Sequence, residues 1–149
     1  CTSAAFSNNF IIHRNPVLSV LNYTTSNGSL QVNDCSALFT NCIFWGSPGL
    51  VDDEVSLARE GNTVFDITMN HCLYRAGTDP APATLNNVIR NQDPLFDSID
   101  ISNKYYDFRT SRDPFAPGVD QGMATPFPRD LDDLPRTVQL PDLGCYEKQ

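Results

Sequence analysis

The sequence predicts an all-β chain in which short strands stack as a β-solenoid and an irregular C-terminal segment closes one end. Three observations predict it. The stretches Asn9–Phe10–Ile11–Ile12, Asn41–Cys42–Ile43–Phe44 and His71–Cys72–Leu73–Tyr74 superimpose, each a polar residue followed by a short apolar run, at spacings of 32 and 30 residues. A fixed period of this size marks units that bury their apolar face only by stacking on a neighbour. No stretch sustains the apolar rhythm of a helix, and 11 prolines and 8 glycines punctuate the runs as turns between strands would.

Each apolar run follows two polar residues: Asn8–Asn9, Thr40–Asn41 and Asn70–His71. Asn tolerates left-handed backbone at a bend between strands, and its amide can bond the equivalent amide of the next coil. Stacked coils then carry an Asn ladder. His71 takes the same turn position, and His13, beside Arg14 and Asn15–Pro16, reads as a solvated turn residue. Ile11, Ile43 and Leu73 are expected in one interior column, with neighbours about 4.8 Å apart. Cys42 and Cys72 fall at equivalent positions and are expected as buried, reduced thiols, because Cys packs as a small hydrophobe.

After Trp45, Gly46–Ser47–Pro48–Gly49 breaks the chain. Glu54–Val55–Ser56–Leu57 reads as a short strand. Gly61–Asn62 turns into a second strand over Val64–Phe65–Asp66–Ile67–Thr68–Met69. Ala76 to Ala83 is a loop, and Tyr105–Tyr106–Asp107–Phe108–Arg109 is a further strand. From Asp113 the chain is rich in Pro and Asp and is expected to lie over the solenoid's end. Residues 1–112 are thus expected to form coils with loop insertions, and 113–149 an irregular cap.

Eighteen acidic residues against ten basic ones give a net charge of −8. That balance argues against nucleic acid, which needs clustered Lys and Arg, and against docking on anionic membranes. No apolar run approaches the roughly 18 residues of a membrane span. Cys1–Thr2–Ser3–Ala4–Ala5–Phe6 lacks the basic and apolar regions of a signal peptide. A lipid-bearing Cys1 is one reading of this start. An internal cut from a longer chain is favoured, because structure already begins near Phe6. Five cysteines without a CxxC pair argue against a zinc site.

The C-terminal third carries specific motifs. Asp113–Pro114–Phe115–Ala116–Pro117–Gly118–Val119–Asp120–Gln121–Gly122 leads to Arg129–Asp130–Leu131–Asp132–Asp133–Leu134–Pro135–Arg136, then Pro141–Asp142–Leu143–Gly144–Cys145–Tyr146–Glu147. Together they resemble the closing segment of secreted bacterial right-handed parallel β-helix proteins of the pectate-lyase-like superfamily. The resemblance covers roughly residues 36 to 147, with Asn91–Gln92–Asp93–Pro94–Leu95–Phe96 and Tyr105–Arg109 also matching phrases of that group. It implies a right-handed parallel β-helix end, an extracellular or bacterial surface or outer-membrane location, and an upstream part of the same parent chain as a partner. In that group the tail is structural. Asp130, Asp132, Arg136, Asp142 and Glu147 are therefore expected to clamp it through charge-assisted bonds, with Arg136 as a bidentate fork. Asp133 stands where the group has Gly.

No catalytic constellation is evident. Asp52–Asp53 is an adjacent carboxylate pair, as β-helix hydrolases use, but Asn-x-Asp, Gly-His-Gly and Arg-x-Lys motifs are absent. Adjacent residues of a strand would also face opposite sides. Lyase chemistry needs a Lys or Arg base with a cation beside it. Lys104 and Lys148 sit outside the coils, and Arg14, Arg59, Arg75 and Arg90 lack an acidic cluster. Asp130-x-Asp132–Asp133 only partly resembles a calcium loop, so no cofactor is expected and calcium is the alternative. Trp45, Tyr74, Tyr105 and Tyr106 are the sugar-stacking candidates, since aromatic faces suit pyranose rings. The expected function is a non-catalytic structural or capping segment of a surface β-helix protein, with polysaccharide as a partner. The alternatives are a lyase or glycosidase on acidic glycans and a lipid-anchored binding module.

Overall fold

A computed structural model describes residues 1–8, 10–110, 113–136 and 139–148. Its strands are β1 (Thr2–Ala5), β2 (Leu18–Leu21), β3 (Tyr23–Ser26), β4 (Ser29–Val32), β5 (Cys35–Thr40), β6 (Ile43–Gly46), β7 (Val55–Ala58), β8 (Phe65–Asn70), β9 (Leu73–Tyr74), β10 (Thr84–Asn86), β11 (Ile89–Arg90), β12 (Ser98–Asp100) and β13 (Tyr105–Asp107). The described residues are all-β, with no helix, and so none long and apolar enough to cross a membrane.

Three ladders are parallel. One runs β1-β6-β9-β11, with Thr2 opposite Ile43, Ile43 opposite Leu73 and Leu73 opposite Ile89. A second runs β5-β8-β10, pairing Phe39 with Met69 and Met69 with Leu85. The third pairs β2 with β7, Leu18 opposite Val55. The inner faces meet in one core. Cys42, Phe44, Val55, Met69, Cys72, Tyr74 and Ala76 are buried there, with Phe39, Leu57 and Leu85 packed against them. Two antiparallel hairpins project from this frame. β3 and β4 are joined by Asn27–Gly28, both at positive φ (49° and 75°). That is the requirement of a two-residue primed turn and the reason Asn-Gly stands there.

The expected turn ladder is present in part: the left-handed turn falls at Asn41 and His71 and recurs at Asn87, but the Asn41 amide bonds Met123 and not His71. Asn41, His71 and Asn87 carry φ of 52°, 49° and 50° at the joint between the second ladder and the first. Asn86 Nδ2 donates to Asn70 Oδ1 at 2.7 Å across neighbouring passes. The His71 Nδ1–H donates to the Gln121 carbonyl at 2.8 Å, which leaves Nε2 to accept from Asn87 Nδ2 at 3.1 Å. His71 is therefore a turn residue bonded on both ring nitrogens.

The expected stack of Ile11, Ile43 and Leu73 needs two corrections. Ile11 is in no strand and is 69% exposed. The Asn8 carboxamide accepts from the amides of Phe10 and Ile11, both at 2.8 Å, and so closes a local turn instead of a bend between strands. Asn9 lies outside the described residues. The partner of Ile43 in the first pass is Thr2. Ile43 and Leu73 do stack, but on the outer face of their ladder, because Phe44 and Tyr74 take the inner one. The tail covers that outer face, with Leu143 packed on Ile43 and Leu73. It is held there by Gly144 N to Asn41 O (2.8 Å), Cys145 N to Thr2 Oγ1 (3.2 Å) and a two-way bond between the Asn41 side chain and Met123. The cap thus lies along the flank of a sheet and not only over its last pass.

Candidate functional site

Strand β6 alternates Ile43 and Trp45 outward with Phe44 and Gly46 inward, which sets Trp45 half-buried beside the outer cluster of Ile43, Leu73, Ile89 and Phe96. The chain then loops out and returns through Asp52–Asp53–Glu54. These three carboxylates diverge. Asp53 Oδ1 accepts from Gly77 N (2.8 Å) and Thr78 N (3.3 Å), pinning the facing loop. Glu54 is fully buried, and Asp52 is exposed. Asp52, Trp45, Arg75, Asn91 and Asp93 line an open cavity of about 550 Å³. Asn91, at φ 59°, is locked there by accepting from Ala76 N (2.9 Å) and donating to Ala76 O (2.7 Å). Asp93, exposed at the cavity, accepts from Leu95 N through Oδ1 at 2.9 Å.

Arg75, which lines this cavity, belongs to a buried ionic network that sequence reasoning missed. Glu54 receives the Arg75 Nη2–H at 2.8 Å, His13 Nε2 at 2.9 and 3.0 Å, and the Val17 amide at 3.3 Å. Arg75 also donates to the carbonyls of Gly46, Ser47 and Val51. These bonds engage Nε and Nη2 of the guanidinium. His13 is 8% exposed, not a solvated turn residue. Gly46 is required by the close approach: a Cβ there would lie 2.0 Å from Glu54 Oε1 and 2.6 Å from His13 Nε2. One signal was available. The offset of 41 residues that stacks Cys1 against Cys42 also brings His13 to Glu54.

The four aromatic candidates separate. Trp45 alone of them lines the cavity. Tyr74 is 0% exposed, its hydroxyl donating to Asp79 at 2.8 Å, so it presents no ring face to solvent. Burial first, then the Asp79 carboxylate, pushes its phenol well above the ordinary value. Tyr106 is packed among Phe6 (6.1 Å, stacked) and Phe108 (6.2 Å, stacked). Tyr105 is 56% exposed on β13, away from that cavity.

The five tail residues form two joined groups. Asp130 Oδ1 accepts from Asp132 N (2.9 Å) and Leu134 N (2.7 Å), and Oδ2 from Glu147 N (2.8 Å). Asp142, 1% exposed, accepts from Asp120 N and Lys148 N, both at 2.7 Å. Arg136 pairs with Glu147 at 3.4 Å and donates to the carbonyls of Asp142 (3.2 Å) and Gly144 (3.1 Å). Asp132 instead takes a bidentate bond from Arg109, at 2.7 and 2.8 Å, while the same guanidinium lies 4.5 Å over the Tyr146 ring. Burial raises the carboxyls of Asp142 and Glu147 above their ordinary values. Because protein donors occupy the Asp130 and Asp132 oxygens, these carboxylates are a poor fit to calcium. Among the described residues no group of three or more His, Cys, Asp or Glu is placed to hold a metal ion.

Comparison with protein-family models, curated proteins and solved structures finds no match.

Proposed function

We propose that this chain is a non-catalytic structural and capping segment of a secreted or cell-surface right-handed parallel β-helix protein, and that it contacts polysaccharide at the Trp45 groove. In this reading the three parallel ladders are successive coils, and residues 113–149 seal one flank. The observation that carries it is the tail: its acidic motif residues are bound to backbone amides or to Arg109 and Arg136. Those bonds hold the chain in place. Among the described residues the outer edges of β1 and β2 pair with no further strand, which suits a preceding part of the same parent chain.

The groove supports the glycan contact. An aromatic face beside two exposed carboxylates and a fixed amide matches sugar recognition, in which CH groups stack and hydroxyls donate. Affinity electrophoresis of the chain in gels carrying neutral or acidic polysaccharides tests this reading. Retardation that Trp45→Ala removes, at a temperature where the variant is still folded by circular dichroism, is the expected result. Equal mobility in every polysaccharide removes the glycan contact. Release of unsaturated, ultraviolet-absorbing product from polygalacturonate or alginate would replace the capping reading with the lyase one.

A further inference from the structure

We propose that Cys1 and Cys42 are a reactive thiol pair that a hydroperoxide converts to a disulfide joining the first pass of the chain to the second. The two residues are opposite one another. Ile43 N donates to Cys1 O at 2.8 Å, and Thr2 is in register with Ile43, so the backbones run as locked parallel neighbours. That spacing lies within the Cα range a disulfide spans. The thiols already touch, with Cys1 Sγ 3.3 Å from Cys42 Sγ.

Access and activation come from different directions. Cys1 is exposed, and both sulfurs line a cavity of about 770 Å³ between the outer edge of β5 and the tail at Met123 to Leu131. Its walls include Leu38, Phe127 and Leu131. Cys72 lies on the opposite, sealed side of Cys42, at 0% exposure. Interaction with the neighbouring Cys72 thiol, above the other causes, lowers the Cys42 thiol below its ordinary value. Cys72 itself is pushed upward by the same interaction and by burial. A thiolate is the attacking species in both thiol oxidation and exchange.

The chemistry balances. The Cys42 thiolate attacks the O–O bond of the hydroperoxide. An S–O bond forms, O–O breaks, and an alcohol or water leaves once protonated. The Cys1 sulfur then attacks the sulfenic sulfur, forming S–S and releasing water. Two electrons pass from the two thiols to the peroxide, which is the only oxidant required. Cys35 lies elsewhere, on β5. Cys145 lines the same cavity and is the competing partner.

The test is to treat the reduced full chain with hydrogen peroxide, quench with an alkylating agent, and map bridges by non-reducing peptide mass spectrometry. The expected result is a loss of about 2 Da, the two thiol hydrogens, located to a Cys1–Cys42 bridge, with Cys72 still alkylated after unfolding. Cys1→Ser should instead leave Cys42 as a sulfenic acid that a cyclic diketone traps, and Cys72→Ala should fold and slow the bridging. A bridge from Cys42 to Cys72 or Cys145, or no bridge while Cys1 alone is oxidised, overturns the proposal.

Discussion

Replacing Arg136 with Ala removes the guanidinium that pairs with Glu147, and the burial of both side chains sets the cost. Arg136 and Glu147 are 10% and 6% exposed there. Water therefore cannot take over the bonds to Glu147 or to the carbonyls of Asp142 and Gly144. Glu147 must either stay charged while buried or take up a proton. From an ordinary value of 4.5, proton uptake at pH 7 would cost about 3.4 kcal/mol, and because burial already raises this carboxyl in the parent its contribution lies below that. Two carbonyls losing a charged donor add on the order of 1 kcal/mol each. The total, about 3–5 kcal/mol, agrees with the range for breaking a buried ion pair. In a chain of this size that lowers the melting temperature by roughly 10 °C or more. The pH dependence separates this mechanism from simple loss of packing. At pH 5 the proton costs only about 0.7 kcal/mol, so most of the carboxylate's share should vanish. Urea unfolding of parent and variant at both pH values gives the comparison. A deficit below about 1 kcal/mol at pH 7, as for an exposed pair, or one that is equal at pH 5 and pH 7, refutes the clamp.

Two further outcomes are expected. Glu54→Ala leaves the Arg75 charge buried without its carboxylate and should cost about 3–5 kcal/mol, whereas Gly46→Ala drives a Cβ into the same carboxylate and should cost about 1–3 kcal/mol; calorimetry of both variants checks the network. Asp142 and Glu147 have folded pKa values raised above 3.8 and 4.5, so their contribution to stability is fully present below those values and is lost as pH rises through the raised ones. The parent should therefore lose stability through these two groups from about pH 4 toward neutrality, and Glu147→Gln should flatten that slope; an unchanged slope in a melting series counts against it.

Much of the fold was legible because turn chemistry is local. Asn41 and His71 are at the left-handed positions that their residue types and spacing suggested. Cys42 and Cys72 do sit at one level of neighbouring passes, free and buried. Inside and outside were not legible. In Ile43–Phe44 and Leu73–Tyr74 both faces are apolar, so the two-residue alternation that tells core from solvent is absent. Asn8 misled because an Asx turn and an inter-strand bend ask for the same side chain. The Glu54 network was invisible because its partners, His13 and Arg75, lie 41 and 21 residues away and each reads alone as a solvated charge.

The contrast between ladders explains where the tail docks. In β5, β8 and β10 the outward residues are Ser36, Leu38, Thr40, Asp66, Thr68, Asn70, Thr84 and Asn86, a face that is polar except at Leu38 and that water can cover. In the ladder of β6, β9 and β11 the outward column is Ile43, Leu73 and Ile89, which would otherwise be an exposed apolar stripe next to Trp45. Leu143 covers that stripe, and Phe96, ahead of the β12–β13 hairpin, packs beside it. The tail is poorly suited to stand alone, since Phe115, Met123, Phe127, Leu131 and Leu140 stay exposed while it buries two carboxylates around one guanidinium. It gains its order from the stripe, and the stripe is tolerated only because the tail is there. A substitution such as Leu143→Ala should therefore loosen both together, while an outward change in the polar ladder, such as Thr68→Ser, should leave both intact.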